Sequence, residues 1–209
     1  SETDGLAALT GGLDIFQALW NKDETALDAL LRSGAETQTI CEDEKLFDFK
    51  GKSPLGCALL WANYSAAEML LRGGANPNFK DSEEQTAFAV WMNKRNHSSE
   101  NKEQCLHFLQ CLTECGWKPE DPADKEGNTA LSVACRGAGY ESGVWAIRYL
   151  VENGADVNAA NMQGQTEDAS GTGIFPVLRL SHGFIHTEDV SARKKMQRHL
   201  KSCLKPGRI

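Results

Sequence analysis

The densest group of residues able to do chemistry is Cys105, His107, Cys111 and Cys115. Thiolate and imidazole are ligands that zinc prefers, and Cys111 and Cys115, four apart, would share one face of a helix. Structural zinc, however, draws its ligands from turns at tight Cys-x-x-Cys spacing. A cysteine inside a leucine-bearing helix is more often a small buried hydrophobe, so core packing is the expected role and no metal is assigned. Nucleophilic catalysis would need a thiolate beside a base. His97, His182 and His186 fall in loop-like stretches, and nothing in their spacing pairs one of them with a cysteine. Gly137-Ala-Gly139 and Gly171-Thr-Gly173 lack the Lys-Ser/Thr step and the strand-to-helix setting of a phosphate-binding loop. No catalytic residue and no cofactor is assigned, and the expectation is a protein that is not an enzyme.

Bulk properties bound the remaining choices. The chain has 209 residues, 41% hydrophobic and 24% charged, enough to bury a core without disulfides and too apolar for disorder. No apolar run nears the ~20 residues that span a bilayer, and residues 1–4 are acidic, unlike the start of a signal peptide. Seven cysteines, an odd number without a scaffold rhythm, favour a reducing compartment: cytoplasm, with the nucleus as a second setting. The net charge of −7 is uneven, because residues 191–209 hold seven basic side chains and no acidic one, which leaves −14 on the rest. A body that acidic repels phosphate backbones, so no nucleic acid is expected as ligand. Another protein, with a basic surface favoured, is the expected partner, with no membrane contact and a monomer when free.

What must position any binding residues is a repeat. Four segments share a grammar of hydroxyl residue, apolar helical run, break, leucine-rich run and glycine. The first copy lacks the hydroxyl but has residues 13–20 and 25–35. The second runs from Ser53-Pro-Leu to Trp61, then through Leu70-Leu-Arg-Gly-Gly-Ala-Asn76. The third starts at Thr86 and closes at Cys115-Gly116-Trp117; the fourth runs from Gly127 to Asn158. A degenerate fifth begins at Gly164-Gln-Thr166. Each copy reads as two short antiparallel helices. Ser53 and Thr86 can cap exposed N–H groups, and Pro54 suits a first helical turn because it has no N–H to leave unpaired. Ala67, Met69, Leu70 and Leu71 form an apolar stripe that only a stacked neighbour can cover. Gly73-Gly74 and Gly154 fit the left-handed position that ends a helix.

Gly127-Asn-Thr-Ala-Leu-Ser-Val-Ala and Leu150-Val-Glu-Asn-Gly-Ala-Asp-Val-Asn158 resemble the opening and closing signatures of the ankyrin repeat family. The resemblance implies an all-α fold, an ankyrin-repeat solenoid of about four to five helix-turn-helix repeats with hairpin-like arms and a C-terminal capping helix. The family histidine after the Pro-Leu position is absent, replaced by Gly56, Ala89 and Ser132. Residues 1–12 are then a lead-in and 13–169 the array, with insertions near 96–101 and 137–143. Residues 170–188 are an irregular segment packing on the last repeat, and 189–209 a basic amphipathic capping helix and tail. Asn76 and Asn158 sit at positions resembling those where ankyrin asparagines are hydroxylated, although ordering a turn is the favoured role.

The resemblance also implies where a partner sits: on the concave face, made of late first-helix residues and arm tips. The late-helix positions hold Trp20, Asn21, Leu60, Trp61, Asn93, Lys94 and Arg136. The arm tips hold Phe47, Phe49, Lys50, Lys80, Ser82, Glu83, Lys125, Glu126 and Met162. Trp20 and Trp61 would stand side by side at equivalent places in neighbouring repeats, either packed between helices or presented to a partner, with presentation favoured because large rigid side chains dominate hot spots. Phe47 and Phe49 alternate, so at least one of them is expected to face outward. The function this supports is a protein–protein interaction module of adaptor, inhibitor or chaperone type. The alternative is a regulatory or targeting domain of a larger protein whose activity lies elsewhere.

Overall fold

Most of the described helices begin where the sequence supplies a side chain to accept a free N–H group. The computed structural model describes Gly5 and residues 10–94, 101–136 and 141–156. Helix α1 (Ile15–Trp20) opens on a reciprocal cap: the Asp14 carboxylate accepts the Gln17 N–H at 2.8 Å and the Gln17 side chain accepts the Asp14 N–H at 3.0 Å. Asp23 caps α2 (Glu24–Arg32), and Ser53 caps α3 (Pro54–Leu60) by accepting the Gly56 N–H at 3.0 Å, with Pro54 in the first turn. Asn63 caps α4 (Tyr64–Arg72), Thr86 caps α5 (Ala87–Asn93) and Asn101 caps α6 (Lys102–Glu114). Thr129 accepts the Ser132 N–H at the start of α7 (Ala130–Arg136), and α8 spans Glu141–Glu152. Each such cap contributes about 1 kcal/mol.

The second helix of every pair stops in the same way. Gly34, Gly74, Gly116 and Gly154 have φ of 82°, 97°, 87° and 90°, and the amide after each glycine reaches back five residues. Those bonds, Ala35 to Leu30, Ala75 to Leu70, Trp117 to Leu112 and Ala155 to Leu150, are 2.9–3.0 Å long. Of the Gly73-Gly74 pair, only Gly74 is left-handed. Gly73 has φ −79°, and what it supplies is room: a Cβ there would come within 3.1 Å of Leu31 in the preceding repeat.

First helices stack on first helices (α1, α3, α5, α7) and second on second (α2, α4, α6, α8), so no pair buries its stripe alone. One continuous core results, from Leu19 and Leu27 through Leu59, Leu70, Trp91 and Leu109 to Val133 and Leu150. The protein is thus an all-α solenoid of about four helix-turn-helix repeats. Among the described residues no β-strand forms; the connecting segments show only two isolated bridges, Cys41 with Lys50 and Lys80 with Thr86. Asn101, Glu141, Ser142 and Gly143, read from the sequence as insertion, belong to the cap of α6 and the first turn of α8. The fifth copy, the segment 170–188 and the basic helix near 189–204 lie outside the described residues.

Candidate functional site

Four aromatic rings from the first two repeats meet at one edge of the stack. Trp20 ends α1 and Trp61 follows the last residue of α3; their ring centroids are 5.0 Å apart. Phe49 lies against both, at 5.2 Å from Trp20 and 4.7 Å from Trp61. Phe47 touches Trp20 edge-on at 5.6 Å. A short turn separates the two phenylalanines: the Phe49 N–H donates to the Leu46 carbonyl at 2.7 Å, which turns Phe49 inward while Phe47 stays 70% exposed. The tryptophans are half-buried, resting on the core with one side toward solvent. Offset and edge-on pairs of this kind favour fixed ring positions, adding roughly 0.5–1.5 kcal/mol each beyond the area they bury.

Two expectations need correction. Trp20 and Trp61 are not equivalent: counted from the left-handed turn residues Lys22 (φ 55°) and Ala62 (φ 53°), Trp20 matches Leu60 and Trp61 matches Asn21. The rings meet because each side chain reaches across the seam, not because the register repeats. Phe49 and Lys94 are also no surface residues, at 1% and 4% exposure. Phe49 is the floor under the two indoles. Lys94 caps α5 in an extended conformation, φ −60° and ψ 146°, that carries it inward.

The other expected contacts spread along the array. Asn21, Lys80, Ser82, Asn93 and Lys125 are exposed, and Leu60 and Glu126 are half-buried. Lys50 pairs with Glu44, and Ser82 donates to the Gly51 carbonyl at 3.0 Å through both its amide and its hydroxyl. Glu83 pairs with Lys52 at 3.0 Å, and Lys52 also lies 3.4 Å from buried Asp81, which ties the loop before α3 to the loop before α5. Arg136 is engaged by Asp124. Burial alone would raise the Asp124 carboxyl, but hydrogen bonds from Asn128 and the Arg136 guanidinium outweigh it and hold the group below its ordinary range. Met162 lies outside the described residues.

Sequence reasoning missed the structural aspartates, although both stand five residues before a capping threonine (Asp81 and Thr86, Asp124 and Thr129), a spacing visible in the chain. Asp81 accepts the amides of Glu83 and Gln85, and Asp124 those of Glu126 and Asn128. It also missed Lys22, whose ammonium lies 5.8 Å from the Trp61 ring centroid. No motif announces that contact.

The chemically suggestive cysteines take structural places. Cys105 and Cys111 are buried in α6, and Cys115 is half-buried at its end. Burial, and then the adjoining Cys115 thiol, push the Cys111 thiol up to about 11. Among the described residues no three His, Cys, Asp or Glu side chains are grouped so as to hold a metal, and no helix is long and apolar enough to cross a membrane. A cavity of about 160 Å³ beside Trp117, flanked by Lys80 and Lys118, is small beside the ~300–1,000 Å³ of ordinary ligand pockets.

Stacked helix pairs ended by left-handed glycines define a helical-repeat scaffold. The ankyrin repeat family model matches residues 50–82 and 126–162, the segments around α3–α4 and α7–α8. The chain belongs to the ankyrin repeat family, whose members are protein–protein interaction modules, and its described residues carry no catalytic constellation.

Proposed function

We propose that the protein binds another protein through the surface centred on Trp20, Phe47 and Trp61, acting as an adaptor, inhibitor or chaperone. The observation that carries this reading is Phe47. A phenylalanine that is 70% exposed, packed edge-on against half-buried Trp20, which itself meets Trp61, leaves apolar surface in water that a partner would cover. Aromatic side chains lose little entropy on being fixed, so three prearranged rings make an efficient anchor. The partner is a basic protein: residues 10–52 carry nine carboxylates against five cations, and that field hastens encounter with a cationic surface. Seven cysteines, an odd number without a scaffold rhythm, suit a cytoplasmic or nuclear setting, and a monomer is the state expected of the free protein.

The test uses Phe47→Asp, because Phe47 contributes little to the core. Wild type and variant are immobilised side by side, exposed to native extract, and the retained proteins identified by mass spectrometry. A protein held by the wild type and lost by the variant, then reproduced with purified components, supports the reading. Equal retention by both would remove the aromatic surface from consideration.

A further inference from the structure

We propose that Lys22 is an internal competitor at this surface: its ammonium occupies the face of Trp61 that an arginine from a basic partner segment takes over on binding. The inference rests on the aromatic surface being the docking site. Lys22 Nζ stands 5.8 Å from the Trp61 centroid, inside the ~6 Å range in which a ring quadrupole attracts a cation. Its place is fixed by the backbone. Lys22 is the left-handed residue of the turn between α1 and α2, φ 55°, and Trp61 directly precedes the corresponding turn residue, Ala62, in the next repeat. One face of a half-buried indole is therefore already used as a cation seat.

The surroundings favour a cation from outside over the resident one. Phe47 lies in the segment from Glu42 to Asp48, where Glu42, Asp43, Glu44 and Asp48 outnumber Lys45. Of the neighbouring cations, Lys50 is committed to Glu44 and Lys52 to Asp81 and Glu83. Arginine suits the seat better than lysine: its planar guanidinium stacks on an aromatic face and is more weakly hydrated, so it gives up less water on docking. An apolar neighbour of that arginine would cover Phe47. The occupant is thus an arginine-bearing segment with an adjacent apolar side chain, and binding exchanges one cation–π contact for a better one while Lys22 swings into solvent.

The probe is an acetylated, amidated octapeptide of alternating leucine and arginine, titrated into the whole chain at low salt and followed by the indole N–H resonances. Lys22→Met, which keeps an apolar stem but vacates the ring, is expected to bind the peptide about threefold to fivefold more tightly than wild type. Lys45→Met removes the same charge from the Glu42–Asp48 segment beside Phe47 and leaves the Lys22–Trp61 contact in place, and is expected to change affinity less than twofold. Equal gains in both variants would mean general electrostatics and overturn the proposal, as would weaker binding by Lys22→Met or no binding by any form. Failure of the docking surface itself reads differently: Phe47→Asp would then leave binding of an extract-derived partner intact.

Discussion

Gly51→Ala would strike the seam between the second and third repeats, and its cost can be worked out atom by atom. Gly51 has φ 75°, where an L-residue is disfavoured by roughly 1–2 kcal/mol. A Cβ there would stand 2.2 Å from Ser82 Oγ, so the hydroxyl must rotate away and lose its 3.0 Å bond to the Gly51 carbonyl, worth about 1 kcal/mol. The expected total is about 2–3 kcal/mol, or a fall in Tm of roughly 4–12 °C for a domain of this size. Ser82→Ala alone loses the hydroxyl bond but keeps the Ser82 N–H bond to the same carbonyl, for about 1 kcal/mol or less. In the double variant the new Cβ meets Ser82 Cβ at 3.4 Å, an ordinary contact, and the lost bond is counted once. The double should therefore be about 1 kcal/mol more stable than additivity gives. Urea unfolding followed by tryptophan fluorescence measures all three. A Gly51→Ala loss below about 0.5 kcal/mol, or strict additivity, would refute the seam.

Further expectations concern the turns, the buried aspartate and the thiols. Ala62→Gly should stabilise by about 0.5–1 kcal/mol, since relief of the left-handed strain at φ 53° outweighs the added unfolded-chain entropy; urea unfolding that shows a loss would contradict this. Asp124, held below its ordinary value, contributes stability that is present above about pH 3.9 and lost as pH falls through its lower folded value. Asp124→Asn should cost about 1–2 kcal/mol at pH 7, chiefly by weakening the buried bonds from Asn128, since the exposed Arg136 guanidinium can turn to water, and should flatten the acid limb of the stability profile, both read from unfolding curves between pH 2 and 7. For Cys111 the sign is opposite: with its thiol raised to about 11, its contribution is full below the unfolded value near 8.5 and fades as pH rises toward 11. Native alkylation at pH 8, mapped by peptide mass, should therefore mark half-buried Cys115 well before Cys111.

The repeat architecture was legible because its signals are local. Ser53-Pro54, Thr86 and the glycines Gly74 and Gly154 fix helix starts and stops through bonds to residues at most five positions away. The aromatic surface was only half legible, because its contacts cross the seam between repeats. The sequence singled out Phe47 and Phe49, but their opposite directions come from the Leu46–Phe49 turn, since residues two apart in an extended segment would share a face, and the meeting of Trp20 with Trp61 depended on an offset of one residue. Lys94 misled for a related reason: a helix-end lysine is ordinarily a surface residue, and only the extended cap after Asn93 turns it inward. Lys22 was invisible, since a cation on an aromatic face requires two repeats to be stacked before the partners are neighbours.

We propose that Trp20, Phe47 and Trp61 form the docking surface. The most direct test is the affinity of Phe47→Asp for the captured partner, measured by calorimetry beside the Tm of the free variant. A loss of at least tenfold in affinity, with Tm lowered by no more than about 6 °C for the lost edge-on contact with Trp20, is the predicted result. Unchanged affinity at unchanged Tm would contradict the account and move the binding surface away from the aromatic cluster.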